Sequence, residues 1–513
     1  CADVVFPEWE SNDVQEELLM NRSAMDGWGV LVAAALVAVA PSVASAQSDI
    51  AFPPEVYAGR RARLVAQLDA PIVVASEYMI RHGGEKKQEP NFFYLTGVES
   101  PYAVLMISPD GSGGVREQLF LPGHREFAGA QYSFQDDRLL GSAWNQLIRR
   151  LEPGQAAEAA TGIGETYALD DFTEALRVLV RGSNDVYFAK ETASLYAPPG
   201  LAAPQTVKQQ LEASISDALG GRTLSDATPA IERMRVVKDA YEIDALRRAA
   251  EISADGLIEA MRRIEPGMND LEVAGIMEWT WKASGSPRPA FPPIVASGTD
   301  AVSLFTIRSE NYNSVNRVMQ DGDFVFIDYG AAEWAMYGSD VCRTFPVSGR
   351  FTPEQKRIYE IVLEAQEAAI AQVRPGNTIL DVIRAAAQVY QDHDLEDNED
   401  IDAMGAENVW GLMPSPTHYL TQGKGLTQYT AVAGLGVRDI GHHVGLEATD
   451  GRDYTTPLEP GMVFTVEPKL YAPEMDIAIM IEDVILVTED GFENLSAKAP
   501  RTVEDIERIM SGR

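Results

Sequence analysis

Two hydrophobic periodicities alternate along this chain. Apolar residues spaced for one face of a helix occupy residues 56–68, 206–219 and, over the longest stretch, 239–264, whereas residues 71–75 and 102–107 are short apolar runs of strand length. The helical stretches carry their own punctuation. The 239–264 pattern stops at Pro266-Gly267, and Asn269 and Glu272 are spaced to cap the following helix reciprocally. Thr352-Pro353-Glu354-Gln355 opens a further helix with a capping hydroxyl, a proline in the first turn and a glutamine that reaches back; its predicted end is Pro375-Gly376. Residues 197–205, rich in proline and alanine, read as a linker.

Part of this pattern occurs twice. Ile264, Pro266, Gly267, Leu271 and Val273 correspond in part to Val373, Pro375, Gly376, Leu380 and Val382, which reads as a duplicated helix pair. The strands repeat as well. Gly322 is followed by an apolar run that ends on Asp328, and Gly461 by one that ends on Glu467, each acid six residues after its glycine. A second acid follows each of them. Asp340 opens the strand-like residues 340–347, and Glu482 lies inside the apolar run 477–487.

Length and composition turn these patterns into a domain plan. A chain of 513 residues that is 45% apolar can bury more than one core. Mixed short strands and helices come first and the duplicated pattern second, so the plan is α/β (α+β), with one domain over 47–225 and another over 226–513. Residues 1–46 read as upstream sequence plus a signal peptide. Arg22 follows a plausible start at Met20, an apolar stretch runs over 28–40, and Ala44-Ser45-Ala46 matches a small-residue cleavage site. That stretch is too short to span a bilayer comfortably, so the expected product is exported, periplasmic or secreted, with no membrane attachment after cleavage near Ala46. The balance of 42 basic against 77 acidic residues gives a formal charge of −35, which repels nucleic-acid phosphates and excludes that class of partner. The only cysteines are Cys1 and Cys342, too few for a disulfide framework once the N-terminus is removed. Cys342 is expected to be a small buried core residue.

The acids inside apolar strands carry the chemistry. An isolated buried carboxylate must neutralise, pair or bind a cation. Glu482 is the sharpest case, with no neighbouring Lys or Arg in sequence. Two like charges about 4 Å apart repel by about 4 kcal/mol even at an effective dielectric near 20, so four converging carboxylates need about four compensating charges. Two divalent ions supply them. An imidazole from Gly441-His442-His443-Val444-Gly445-Leu446-Glu447 completes a donor set suited to Mn²⁺, Co²⁺, Fe²⁺ or Zn²⁺, with the oxygen-rich shell favouring Mn²⁺. Such a pair lowers the pKa of a bridging water and polarises a carbonyl.

The ordered acids and histidine resemble those of the pita-bread metallopeptidases, the group of aminopeptidase P, prolidase, methionine aminopeptidase and creatinase. Asn91-Phe92-Phe93-Tyr94-Leu95-Thr96-Gly97 is similar to the N-terminal domain of aminopeptidase P and creatinase. The segments 291–298, 340–345 and Glu493-Asn494-Leu495-Ser496 add to the likeness. The resemblance implies an N-terminal aminopeptidase P-like domain followed by a C-terminal pita-bread domain with pseudo-twofold duplication. It also implies five metal ligands. Asp328 would chelate one ion, Asp340 and Glu482 would bridge the pair, and His442 and Glu467 would hold the other ion. Glu467 would also shuttle a proton, by way of a metal-bridging hydroxide, to the leaving amine of a short peptide. His442 is preferred to its neighbour because the family ligand stands three residues before the glycine matched by Gly445, leaving His443 as an auxiliary or packing residue. A homodimer is implied by resemblance alone.

The surroundings of this set depart from the family. Asn311 precedes Tyr312 where a histidine is expected, and its amide remains a hydrogen-bond donor. Thr449 precedes Asp450, Arg438 lies four residues ahead of His442, and Met480 lies two before Glu482, in place of two histidines and an arginine. His418 lies in the unusual segment 394–429 and is a candidate to enter the site from that loop. The acidic run 394–402 reads as solvated surface, and His82, His124 and His393 as structural or exposed. The leading function is therefore a dimetal Xaa-Pro aminopeptidase-like exopeptidase. The alternatives are a pita-bread hydrolase with a non-prolyl substrate and an inactivated peptidase frame that binds without turnover.

Overall fold

The computed structural model describes residues 52–80, 86–100, 102–122, 151–183, 185–190, 205–292, 294–304, 316–393, 441–451, 454–472 and 477–512. The signal segment, His82, His124, Asn311, Tyr312, the run 394–402, His418 and Arg438 lie outside them.

The first sheet is built from buried apolar strands. In chain order these are β1 (Ile72–Ala75), β2 (Val104–Pro109), β3 (Val115–Leu121), β4 (Glu165–Ala168), β5 (Val186–Phe188) and β6 (Leu224–Asp226), arranged β4-β3-β2-β1-β5-β6. All four residues of β1 are buried, and their period of two splits them between two cores. Ile72 and Val74 join the cluster of Tyr57, Leu64 and Val65 on helix α1 (Pro54–Leu68) and of Phe92 and Leu95 on α2 (Pro90–Thr96). Val73 and Ala75 join Phe172, Leu176 and Val180 of α3 (Phe172–Arg181) and Ile215 and Leu219 of α4 (Val207–Leu219). A strand covered by helices on both faces needs no polar alternation, which is why this run is apolar throughout.

The helices of the duplicated region are fixed by local caps. α5 (Thr228–Val236) leads to α6 (Ala240–Arg263), whose cap Asp239 accepts from the backbone of Tyr241 and Glu242 while Glu242 reaches back to Asp239. The same box recurs at Asn269 and Glu272 for α7 (Asp270–Ala283), at Thr352 and Gln355 for α8 (Pro353–Ile370), and at Thr378 and Asp381 for α9 (Ile379–Asp392). Inside the first pair Gly256 is required by close approach, because a Cβ there would lie 2.3 Å from Trp281 Nε1. Arg60 on α1 ties the first sheet region to this one, bonding the Tyr94 carbonyl at 3.1 Å and Asp239 Oδ2 at 2.7 Å.

Each helix pair is followed by a three-stranded sheet. The first comprises β7 (Ile294–Ser297), β8 (Phe324–Asp328) and β9 (Cys342–Pro346), in the order β9-β8-β7. The second comprises β10 (Val463–Val466), β13 (Asp483–Val487) and β14 (Phe492–Asn494), in that order, with the hairpin β11 (Lys469–Ala472) and β12 (Ile477–Met480) between β10 and β13 in sequence. Antiparallel pairing sets Asp328 opposite Cys342 and Val466 opposite Asp483. The duplicated helices and strands form the pita-bread arrangement, preceded by the α/β sheet of the N-terminal part.

Three boundaries differ from those predicted. α8 ends at Ile370 rather than at Pro375-Gly376, because the chain tightens there into i→i+3 bonds, from the amides of Gln372 and Val373 to the carbonyls of Ala369 and Ile370, both at 3.0 Å. Asp340 stands two residues before β9 rather than opening it. The run 477–487 is two strands, and Glu482 sits in the break between them with its amide donating to the Cys342 carbonyl at 3.1 Å. That break takes Glu482 out of the regular ladder and lets its side chain meet the acids of the other sheet.

Candidate metal centre

The two halves of the fold deliver their acids to one place. Asp328 is the last residue of β8, and Glu467 follows the last residue of β10. Asp340, His442 and Glu482 each present one ligand atom, and these atoms lie within 4.8 Å of one another with all three side chains buried. Glu467 joins them through Oε1, 3.5 Å from His442 Nε2, while Asp340 Oδ2 lies 3.4 Å from the same nitrogen. Asp328 is near enough that its charge acts on both Glu482 and Cys342.

The histidine is oriented by backbone. His442 exchanges hydrogen bonds with Thr465, donating its amide to Oγ1 at 3.2 Å and accepting the Thr465 amide at 2.9 Å. Its Nδ1 lies 3.2 Å from the His443 carbonyl, which can only accept. Nδ1 is thereby committed to that carbonyl as a donor, and Nε2 is the ring nitrogen left facing the acids, the atom that a ligand imidazole offers. His443 stands apart from the three grouped ligands, its ring edge-on to Phe464 with centroids 6.4 Å apart.

The electrostatics ask for a cation. Burial pushes the Glu482 carboxyl well above the usual carboxylate range, and the charges of Asp340, Glu467 and Asp328 push it further. Burial also raises Asp340, against the opposing pull of His442. Asp340 Oδ1 and Glu482 Oε2 are buried with no hydrogen-bond partner among the described residues. Oxygens of this kind in a native core call for a ligand, and divalent ions fit the donor chemistry.

Lys469, Arg235 and Lys238, which the sequence pattern did not pick out, stand around the cluster with residues that it did. Lys469 pairs with Glu467, Nζ to Oε2 at 2.9 Å. Arg343 is wholly buried and bonds the carbonyls of Cys342 and Glu482 as well as Asp483. Asp450 is clamped by Arg235 and by Lys238, the latter at 3.2 Å, and Arg235 continues to Asn91 Oδ1 at 2.7 Å. That chain gives Asn91 a job: it anchors the segment after the histidines to α2. Thr449 beside it is exposed, and Met480 is buried in an apolar cluster with Phe326 and Cys342. Cys342 is the buried core residue expected, its thiol pushed far up by burial. His393 is exposed and meets Glu364 Oε2 at 3.0 Å.

A duplicated α/β frame that gathers buried acids and one imidazole at a single point defines a class, the metal-dependent hydrolases of the pita-bread type. Residues 244–489 match metallopeptidase family M24, and residues 57–187 match the aminopeptidase P N-terminal domain. The chain belongs to this metallopeptidase family, on its aminopeptidase P side. It is 31% identical over 471 residues to the Xaa-Pro aminopeptidase of Escherichia coli strain K12, covering 88% of this chain and 96% of that protein. Human Xaa-Pro aminopeptidase 3 is 28% identical over 447 residues, covering 83% of this chain and 76% of that protein. The structure of zinc-substituted E. coli aminopeptidase P in complex with product superposes with a TM-score of 0.69 at 28% identity, covering 90% of this chain and 99% of that one.

Proposed function

We propose that this chain is a dimetal aminopeptidase of the Xaa-Pro aminopeptidase type, removing the N-terminal residue of short peptides. The observation that carries the reading is the meeting of Asp340, His442 and Glu482 within 4.8 Å, buried, with carboxylate oxygens left unsatisfied. Asp340 and Glu482, one from each half of the fold, would hold the ions together with His442, Glu467 and Asp328. Mn²⁺ is the favoured occupant, because oxygen donors outnumber nitrogen. Bound there, the ions supply an activated water and polarise the scissile carbonyl.

The protein's own groups do the rest. Glu467 accepts the water's proton and returns it to the departing amine nitrogen, which its place beside His442 allows. Thr465 Oγ1 donates to Glu467 Oε1 at 2.9 Å and so fixes the carboxylate's orientation. Asp340, His442, Glu467 and Glu482 are themselves buried, so the chemistry is held away from bulk water. The auxiliary roles of Asn311 and His443, export after cleavage near Ala46 and homodimeric assembly belong to the same proposal; N-terminal sequencing of the exported protein and sedimentation are their checks.

A second reading concerns the substrate. Thr449 is exposed and Met480 is apolar where the family resemblance places an imidazole and a guanidinium. That favours a relaxed requirement for proline. Purified protein with Mn²⁺ is expected to release the N-terminal residue from tripeptides with proline in second place, and to stop when a chelator is added. A matched series with alanine in second place measures the relaxation. Bound metal with no release from either series would contradict the peptidase reading.

A further inference from the structure

Lys469 is a cation built into the carboxylate cluster. Its Nζ lies 2.9 Å from Glu467 Oε2, and both side chains are only 6% exposed. The other oxygen of the same carboxylate, Oε1, accepts from Thr465 Oγ1 at 2.9 Å and stands 3.5 Å from His442 Nε2. Glu467 is therefore held at both ends, with one oxygen committed to the lysine and the other turned toward the candidate metal centre. A buried lysine is rare unless paired, and this one sits among the charges that act on Asp340 and Glu482 as well.

The strand register shows where else that charge could stand. Lys469 opens β11, and its direct partner across the hairpin is Met480 of β12. Direct partners on an antiparallel pair project from the same face with Cβ atoms about 5 Å apart. A long side chain at either position therefore reaches the same volume. Met480 is buried and uncharged, at the position where the family resemblance places an arginine.

We propose that Lys469 is a positioning residue of the metal centre: it locks Glu467 so that only Oε1 faces the ions, and it supplies from β11 a fixed positive charge that position 480 on β12 could supply equally. The catalytic consequence rests on the metallopeptidase reading given above, whereas the ion pair stands without it. Lys469 touches a ligand rather than the peptide, so its loss acts on turnover and not on substrate affinity.

The test compares the full-length protein with Lys469→Met, Lys469→Arg and the exchange variant Lys469→Met/Met480→Lys, which has the same composition as the parent. Lys469→Met leaves Glu467 buried without its cation, and its melting temperature in chelator is expected to fall by about 5 °C or more. Added Mn²⁺ is expected to raise that temperature by more than it does in the parent, because the ions now replace a missing positive charge. A role in packing alone would leave the Mn²⁺ increment unchanged. Turnover of a prolyl tripeptide is expected to fall about 10–100-fold in kcat, with KM within about twofold of the parent. Lys469→Arg and the exchange variant are both expected to recover the melting temperature and at least a tenth of kcat.

The proposal is overturned if Lys469→Met matches the parent in melting temperature and kcat, or if the exchange variant folds yet remains as impaired as the single variant. Should Lys469→Met fail to fold, the arginine and exchange variants carry the same decision. Absence of turnover or of Mn²⁺ uptake by the parent itself would sink the functional reading. The melting comparison in chelator would still decide the ion pair and its transfer.

Discussion

Asp340→Ala is expected to lower peptide turnover by about a thousandfold or more while making the metal-free protein more stable at alkaline pH. The first effect follows from the position of Asp340, whose ligand atom lies within 4.8 Å of those of His442 and Glu482. Metal-ion catalysis is worth several kcal/mol of transition-state stabilisation, and about 4 kcal/mol is a factor of a thousand in rate. The second effect follows from charge. Burial holds the Asp340 and Glu482 carboxyls above their ordinary range in the metal-free protein. A group whose folded pKa is raised contributes stability below its unfolded value, and that contribution is lost as pH rises through the folded value. Metal-free protein should thus weaken between acid and alkaline pH, and removing one of the repelling acids should soften that fall. Thermal unfolding in chelator at about pH 5 and pH 8, alongside kcat/KM with Mn²⁺, measures both. A variant that lost stability at alkaline pH in chelator would show that Asp340 is held by partners other than a cation.

The second large effect is expected at Arg343. Its guanidinium is wholly buried, as is its partner Asp483, and Nη2 reaches Asp483 Oδ1 at 2.7 Å. The same side chain bonds the carbonyls of Pro500, Cys342, Glu482 and Ala499 at 2.5–3.0 Å. Asp483 is further held by Ser496 Oγ at 2.7 Å and Gln366 Nε2 at 3.1 Å. Arg343→Met keeps much of the volume and removes the charge, leaving a buried carboxylate and several carbonyls without their donor. The expected loss is about 3–5 kcal/mol, read as a fall in the denaturant midpoint at unchanged slope. Arg343→Lys should recover little of it, because one ammonium cannot reproduce a planar fork with five donors. Since Nη1 also fastens the backbone of Glu482 to that of Cys342, metal uptake should weaken in whatever fraction still folds. A loss below about 1 kcal/mol would show that this network is not what fixes the break that carries Glu482.

The parts of this architecture that were legible in the sequence are those encoded locally. Helix caps are spaced three residues apart, so Asn269 with Glu272 and Thr352 with Gln355 were readable directly. The duplicated glycine-to-acid strands announced Asp328 and Glu467, because burying an acid at the end of an apolar run demands a reason. What escaped was set by contacts distant in the chain. Arg343 finds Asp483 from 140 positions away, and Arg235 finds Asp450 from 215. The break at Ile481 and Glu482 was hidden because β12 and β13 are buried along their whole length, so no polar alternation marks where one stops. Lys469 did leave a signal, a lone cation two residues beyond the strand-end acid. Its meaning depended on the register that places it against Met480.

The most direct test of the account is the metal content of the purified protein. After dialysis against Mn²⁺ and removal of free ions, elemental analysis should find about two ions per chain in the parent and a clear loss in Asp340→Ala and in Glu482→Gln. A parent that stayed empty under saturating Mn²⁺ and Co²⁺, or that bound as much metal without those two carboxylates as with them, would contradict it.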